Sequence, residues 1–453
     1  MSSLICRRGL RRPWGPLVLL VVVTASPAQP VLTLEAALQL AQSRSRQLPA
    51  QDAAAAAARE MAVAAGQRPD PILKVGVNNL PVDGPDRYSL RRDFMTMRSV
   101  GVMQELTRAD KLQAQSARYR REAEAAEAAR SVALAGLRRD TALAWLDRHY
   151  QERMLQALQG LRLETHLQVD GAEALARGGR GAQADVFAAR TAVAQVDDRI
   201  RATEQLIAAS QIRLARWVGA AAEQPLGQPP PWADARLDAA SLEAGLGQHP
   251  EIELMQQQEA LALADVDVAR SRLRTDPSVE LMFSQRGPAY SNMVSMTLSI
   301  PWQLDAAQRQ DRELAARLAL VEQARAQREE AAREHQAELL TWLAQWRSGL
   351  DRLGRYEASL LPLAAERTQA ALAAYRGGLG PLAAVLEARR AEVETRIEGL
   401  RLEMETAGRW AQLTYLSPHA AASIPTEPVI QPVIQPAIQP LTPSPAPSTK
   451  QQP

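Results

Sequence analysis

The chain has 453 residues, 4% of them aromatic, with 53 Lys and Arg against 51 Asp and Glu. So few rings exclude a bulky globular core, and the Ala-, Leu-, Glu-, Arg- and Gln-rich stretches between clustered glycines and prolines favour long helices. Four arginines lie in the first twelve residues; without them 49 basic residues face 51 acidic ones, a near-neutral balance that does not suggest nucleic-acid binding.

Residues 1–28 read as a secretory signal peptide: "MSSLICRRGLRRPWGP" is basic, "LVLLVVVTA" is apolar, and Ser26 and Ala28 occupy the small-residue positions of a cleavage site. The apolar run is too short to cross a bilayer as a helix. The only cysteine, Cys6, lies upstream of it. The mature chain is therefore expected to begin near Gln29 with no disulfide, no thiol ligand and no N-terminal lipid anchor.

From 29 to 221 the pattern predicts a first structural repeat. A helix is expected over 33–66, then strands near 71–80 ("PILKVGVNNL") and 94–106 ("FMTMRSVGVMQEL"). A helix over 109–176 follows, about 100 Å long at 1.5 Å per residue, then a Gly turn and a helix over 182–218. Residues 222–236, "AAEQPLGQPPPWADA", form a Pro-rich connector through which no helix continues.

A second repeat spans 237–416. It predicts a helix over 237–273, strands near 278–287 ("SVELMFSQRG") and 292–302 ("NMVSMTLSIPW"), and a long helix over 305–375 kinked by Pro362. A helix over 381–416 closes it. Asp70-Pro71 matches Asp276-Pro277, and "RGGRGAQADVFAAR" (177–190) matches "RGGLGPLAAVLEAR" (376–389). Residues 417–453 carry a proline every few positions and are expected to be a disordered tail.

Each strand has about the length that crosses a bilayer at a tilt, and "SVGVMQ" and "MVSMTLSI" alternate apolar with small or polar residues. Tyr88, Phe94, Phe283, Tyr290 and Trp302 lie at or near strand ends, where rings suit a membrane interface. Four strands cannot close a barrel, since the smallest single-chain barrels have eight. Either several chains share one barrel, or the strands are hairpins of a soluble domain.

Met95, Met97 and Met103 share strand parity, and Met282, Met293 and Met296 fall in the second hairpin. Thioethers suit soft ions, yet methionine is also an ordinary apolar residue on a lipid-facing strand. His149, His166, His249, His335 and His419 are scattered, and His149 with Glu152 on one helical face does not make a metal site. No metal site, cofactor or catalytic residue is expected, and "GGRG" follows a helix rather than the strand a phosphate cradle needs.

Signal, duplicated halves, paired strands of about ten residues and one Gly turn per half together resemble the TolC-type outer-membrane factors, the outer-membrane efflux proteins, over residues 32–416. "LTLEAALQLA" and "HPEIELMQQQEALALADVDVARSRLRTDP" look like openings of the family's two halves, and "GVMQELTRADK" is similar to its heavy-metal branch. The resemblance implies a mainly α fold with a small β part. Long-helix hairpins would build a trimeric periplasmic α-barrel, continued by a 12-stranded outer-membrane β-barrel with four strands from each chain.

It also implies the function and partners. A homotrimer in outer-membrane lipid would passively conduct substrate, here heavy-metal cations, from a periplasmic adaptor (membrane fusion protein) and an inner-membrane RND transporter. The adaptor would dock on tips made by Gly178, Gly179, Gly181, Gly377, Gly378 and Gly380. Asp185 and Tyr375 match closed-state contacts between the tips, and Glu387 matches a pore-constricting acidic ring. Ala384 and Gly380 depart from the family's second acidic residue and its arginine, which implies a weaker lock. The alternatives are a secreted periplasmic adaptor, which should carry one hairpin rather than two, or a secreted coiled-coil structural protein.

Overall fold

The computed structural model describes residues 31–416. The expected signal peptide, Cys6 and the Pro-rich tail lie outside the described residues. Within them the protein is mainly helical with one small four-stranded sheet.

The first half begins with α1 (Leu34–Arg44) and α2 (Gln47–Ala65). One helix was expected over 33–66; the chain instead breaks at Ser45–Arg46. Pro49 accounts for the break, because its ring would meet the Ser45 carbonyl four residues back, whereas the first turn of a new helix tolerates it. Strands β1 (Ile72–Asn78) and β2 (Met97–Glu105) follow, then α3 (Ala109–Arg177), whose 69 residues extend about 100 Å. Helix α4 (Gln183–Val218) returns antiparallel to α3.

The connector is more than a spacer. Leu32 and Leu226 form a parallel bridge, with Leu32 N–H donating to Pro225 at 2.8 Å and Gly227 N–H to Leu32 at 3.1 Å. This pins the start of the described chain against residues 222–236 and seats Trp232 in the main core. There its indole donates to the Tyr150 hydroxyl at 3.1 Å, while the Trp145 indole donates to the Leu32 carbonyl at 3.0 Å. Trp346 and Trp410 complete this core from the second half. Six of the chain's eight tryptophans thus lie in or against the core where the two halves meet.

The second half holds α5 (Ala239–Ala244), α6 (Pro250–Ser271), β3 (Ser278–Gln285), β4 (Met293–Ser299) and α7 (Gln310–Arg355). Helix α8 (Leu361–Arg376) and α9 (Leu382–Leu416) complete it. The expected helix over 237–273 is divided because Pro250 starts α6 at its first position, where no N–H is needed. Between α7 and α8 the chain makes a π turn, Tyr356–Leu360, in which Leu361 N–H bonds the Tyr356 carbonyl five residues back. Pro362 supplies no N–H to the Ala358 carbonyl, and the widened turn absorbs that loss.

The sheet is antiparallel in the order β1-β2-β3-β4. Its register puts Leu73, Val75, Val77, Val100, Val102, Leu281, Phe283, Val294, Met296 and Leu298 on one face, and all ten are exposed. The opposite face carries Lys74, Asn78, Ser99, Glu280, Ser284, Ser295, Thr297 and Ser299. Met97, Met103, Met282 and Met293 also fall on this polar face, so of the methionines in these strands only Met296 joins the apolar one. Across it the Lys74 ammonium donates to Glu280 at 2.5 Å, reaching over β2 at Gly101. A Cβ on Gly101 would stand 2.8 Å from the Leu281 carbonyl, so glycine keeps that crossing open.

Candidate functional site

The two Gly turns lie at the far ends of α3 and α8 and have the same geometry. In the first, Gly179 N–H bonds the Ala176 carbonyl at 3.1 Å and Arg180 N–H reaches Leu175 at 2.9 Å. In the second, Gly378 N–H bonds Tyr375 at 3.0 Å and Leu379 N–H reaches Ala374 at 2.9 Å. Both patterns are Schellman motifs, which need a left-handed residue just past the helix. Gly179 has φ +69° and Gly378 φ +72°, a region that glycine enters without a steric penalty. Gly178 and Gly377 are the preceding cap residues; Gly181 and Gly380 follow as the chain turns into α4 and α9.

The repeated apolar and basic positions have matched roles. Val186, Ala189, Leu382 and Val385 are buried with Ala172 in a small core that holds the two hairpins together at their tips. Arg190 Nη2 binds Glu173 at 2.6 Å, and its repeat mate Arg389 binds Glu164 through Nε at 2.6 Å. Both arginines thereby tie a returning helix to α3. The hydrogen bond from Arg190, with the charges of Arg190 and Arg177, holds the Glu173 carboxyl below its ordinary range. Outside this core the tips are open to solvent, and Leu379 is 89% exposed.

Asp185 and Tyr375 stand on different tips, as the resemblance implies, but no hydrogen bond joins them within the chain. Tyr375 packs its ring against the tip core, and the Asp185 N–H closes the first turn of α4 on Ala182 at 3.1 Å. Glu387 is exposed on α9, two turns beyond Gly378, and lines a groove with Gln168, Gln195, Arg199 and Arg390. Arg390 was not singled out in the sequence. It bonds Glu394 at 3.0 Å, and that bond, with the charges of Glu394 and Glu387, raises its pKa. Spacing held the signal: 387, 390 and 394 follow a helix's three-to-four-residue rhythm. A ring built from Glu387 would therefore have a basic neighbour one turn away.

The fold also gathers groups that read as scattered. His249, Glu251 and His335 place a potential ligand atom each within 4.8 Å of one another. That differs from the expectation of no metal-ligating set, and the reason is tertiary: α6 and α7 bring together residues far apart in sequence.

Comparison with known proteins follows from this geometry. Residues 242–417, which contain the second tip and Glu387, match the family described as Outer membrane efflux protein. No curated protein matches its sequence. Among solved structures, CusC superposes with a TM-score of 0.70 at 18% identity, over 85% of this chain and 92% of that one. The outer membrane protein VceC from Vibrio cholerae gives 0.68 at 17% identity, over 86% and 96%. A membrane protein from Pseudomonas aeruginosa gives 0.72 at 16% identity, over 84% and 89%. The efflux-family fold thus extends across both halves, although the family match falls on the second. The family is one of channels rather than enzymes.

Proposed function

We propose that three copies of this chain form an outer-membrane efflux channel, with the sheet in the membrane and the long helices in the periplasm. The observation that carries this is the sheet itself. It exposes one largely apolar face, broken by Arg98, Gln104 and Gln285 near the strand ends, and leaves an unpaired edge on both β1 and β4. In water such a surface favours aggregation; within lipid each unsatisfied edge group is costly. Pairing β4 of one copy with β1 of the next satisfies both demands. Three copies make twelve strands, within the range of known barrels. The apolar face then meets lipid, and Lys74, Glu280 and the serines line the lumen.

The helical barrel would hang from this pore and end at the two tips of each copy. The left-handed Gly179 and Gly378 and the exposed Leu379 favour end-to-end docking of a periplasmic adaptor, which links the duct to an inner-membrane RND transporter. Transport through the duct is passive. Glu387, with Arg390 beside it, is assigned to the constriction at that end, and Asp185 and Tyr375 to closure between tips. Heavy-metal cations are the substrate class assigned from the "GVMQELTRADK" segment.

The decisive test is fractionation followed by reconstitution. The channel reading expects the protein in outer membranes, a trimer by native mass measurement in mild detergent, and discrete conductance steps in planar bilayers. A soluble monomer without conductance rejects it. Growth of a deletion strain on copper, zinc, cadmium and drugs tests the substrate class separately.

A further inference from the structure

The strongest unassigned chemistry lies away from the tips, where the start of α6 meets the middle of α7. His249 is the N-cap residue of α6 and is 3% exposed, and its Nδ1 is buried without a hydrogen-bond partner. A buried polar nitrogen left in this state is costly. Its ring lies 4.5 Å from that of His335, and the His335 Nε2 stands 2.5 Å from a Glu251 carboxylate oxygen. On the far side of the His335 ring, Nδ1 lies 3.4 Å from Glu338.

We propose that His249, Glu251 and His335 bind a divalent transition-metal ion of the zinc class. Two imidazoles and one carboxylate are a donor set zinc accepts at about 2.0–2.2 Å, with a further position left for water. The three ligand atoms lie within 4.8 Å of one another, so a small rearrangement would seat the ion, the half-exposed Glu251 backing away from the His335 Nε2 to admit it. Glu338 would hold the His335 ring from its second nitrogen, the carboxylate–histidine arrangement that orients metal ligands. An open recess of about 390 Å³, lined by Asp140, Trp217, His249 and Glu251, gives solvent access. Glu251 and Glu253 in the first turn of α6 offset the positive end of its dipole. The ion would clamp α6 to α7 whether or not the chain forms a channel.

The test uses the full mature chain, without a histidine tag, stripped with a chelator. Zn2+ titration should give one ion per chain, and Co2+ should give the absorption bands of a low-coordinate nitrogen–oxygen site. His335→Gln should abolish the cobalt spectrum. Glu338→Gln should weaken zinc binding by about 10–100-fold while leaving His249, Glu251 and His335 in place. Zinc should also raise the melting midpoint of the wild-type chain, a readout that needs no variant. Wild-type zinc binding that is absent, or that is unchanged in a His249→Gln/His335→Gln variant, overturns the site.

Discussion

The Lys111 ammonium, on the first turn of α3, donates to the buried Asp276 carboxylate at 2.5 Å, just before β3 begins. The backbone N–H of Arg108 donates to the other Asp276 oxygen at 3.1 Å. The exit of the first hairpin is thereby locked to the start of the second. Burial alone would raise the Asp276 carboxyl, but the Lys111 and Arg108 hydrogen bonds and charges carry it below its ordinary range. A depressed native pKa contributes stability that is present above the ordinary carboxylate range and lost as pH falls through the native value. Asp276→Asn should therefore destabilise the chain at neutral pH by about 3–5 kcal/mol, the usual cost of breaking a buried pair. Melting of wild type and variant should converge in acid; a gap that persists at the lowest pH would refute the ionic origin.

The two sheet faces should respond oppositely to charge. Leu281→Arg, on the apolar face, should cost about 2–4 kcal/mol at mid-membrane depth and leave the protein unassembled. Ser295→Arg, on the polar face, should insert and alter conductance instead. Outer-membrane yield and heat-resistant trimer on gels separate the two, and equal tolerance at both positions would reverse the inside-out assignment of the sheet.

At the tips, a side chain with a Cβ must enter the left-handed region. Gly378→Val should cost about 1–2 kcal/mol locally, and Gly378→Asn less. Because both positions are exposed, the trimer should survive while adaptor binding falls. Surface-immobilised adaptor measures this directly; full affinity in Gly378→Val would reduce the glycine to a helix stop.

Glu387 and Arg390 should pull selectivity in opposite directions. Glu387→Gln is expected to lower the cation preference of the channel and Arg390→Gln to raise it, since clustered charge in a narrow passage focuses potential. Reversal potentials in asymmetric potassium chloride read both. If neither variant shifts the reversal potential, the constriction lies elsewhere.

Much of the layout was legible in the sequence because it depends on local rules. Clustered glycines mark a left-handed turn wherever they stand, and long Ala-rich runs without Pro or Gly continue as helix. The alternation in β2 to β4 fixed which side chains share a face, since strand period is two regardless of partner. Pro49 and Pro250 were also readable as helix starts, and the expected spans over 33–66 and 237–273 missed them by weighing periodicity above proline position.

What the tertiary structure decided are the relations between distant residues. Only packing of α6 on α7 puts His249 beside His335, and only the strand order carries Lys74 across Gly101 to Glu280. The same holds for the side of each face: alternation divides Met282 from Leu281, but register across four strands decides that the methionine joins the serines. The sequence by itself determined the repeated helix–hairpin–helix–turn units, because propensity and glycine stereochemistry act within a few residues. Which charges pair and which face is left bare depends on contacts between units, and there the fold alone decides.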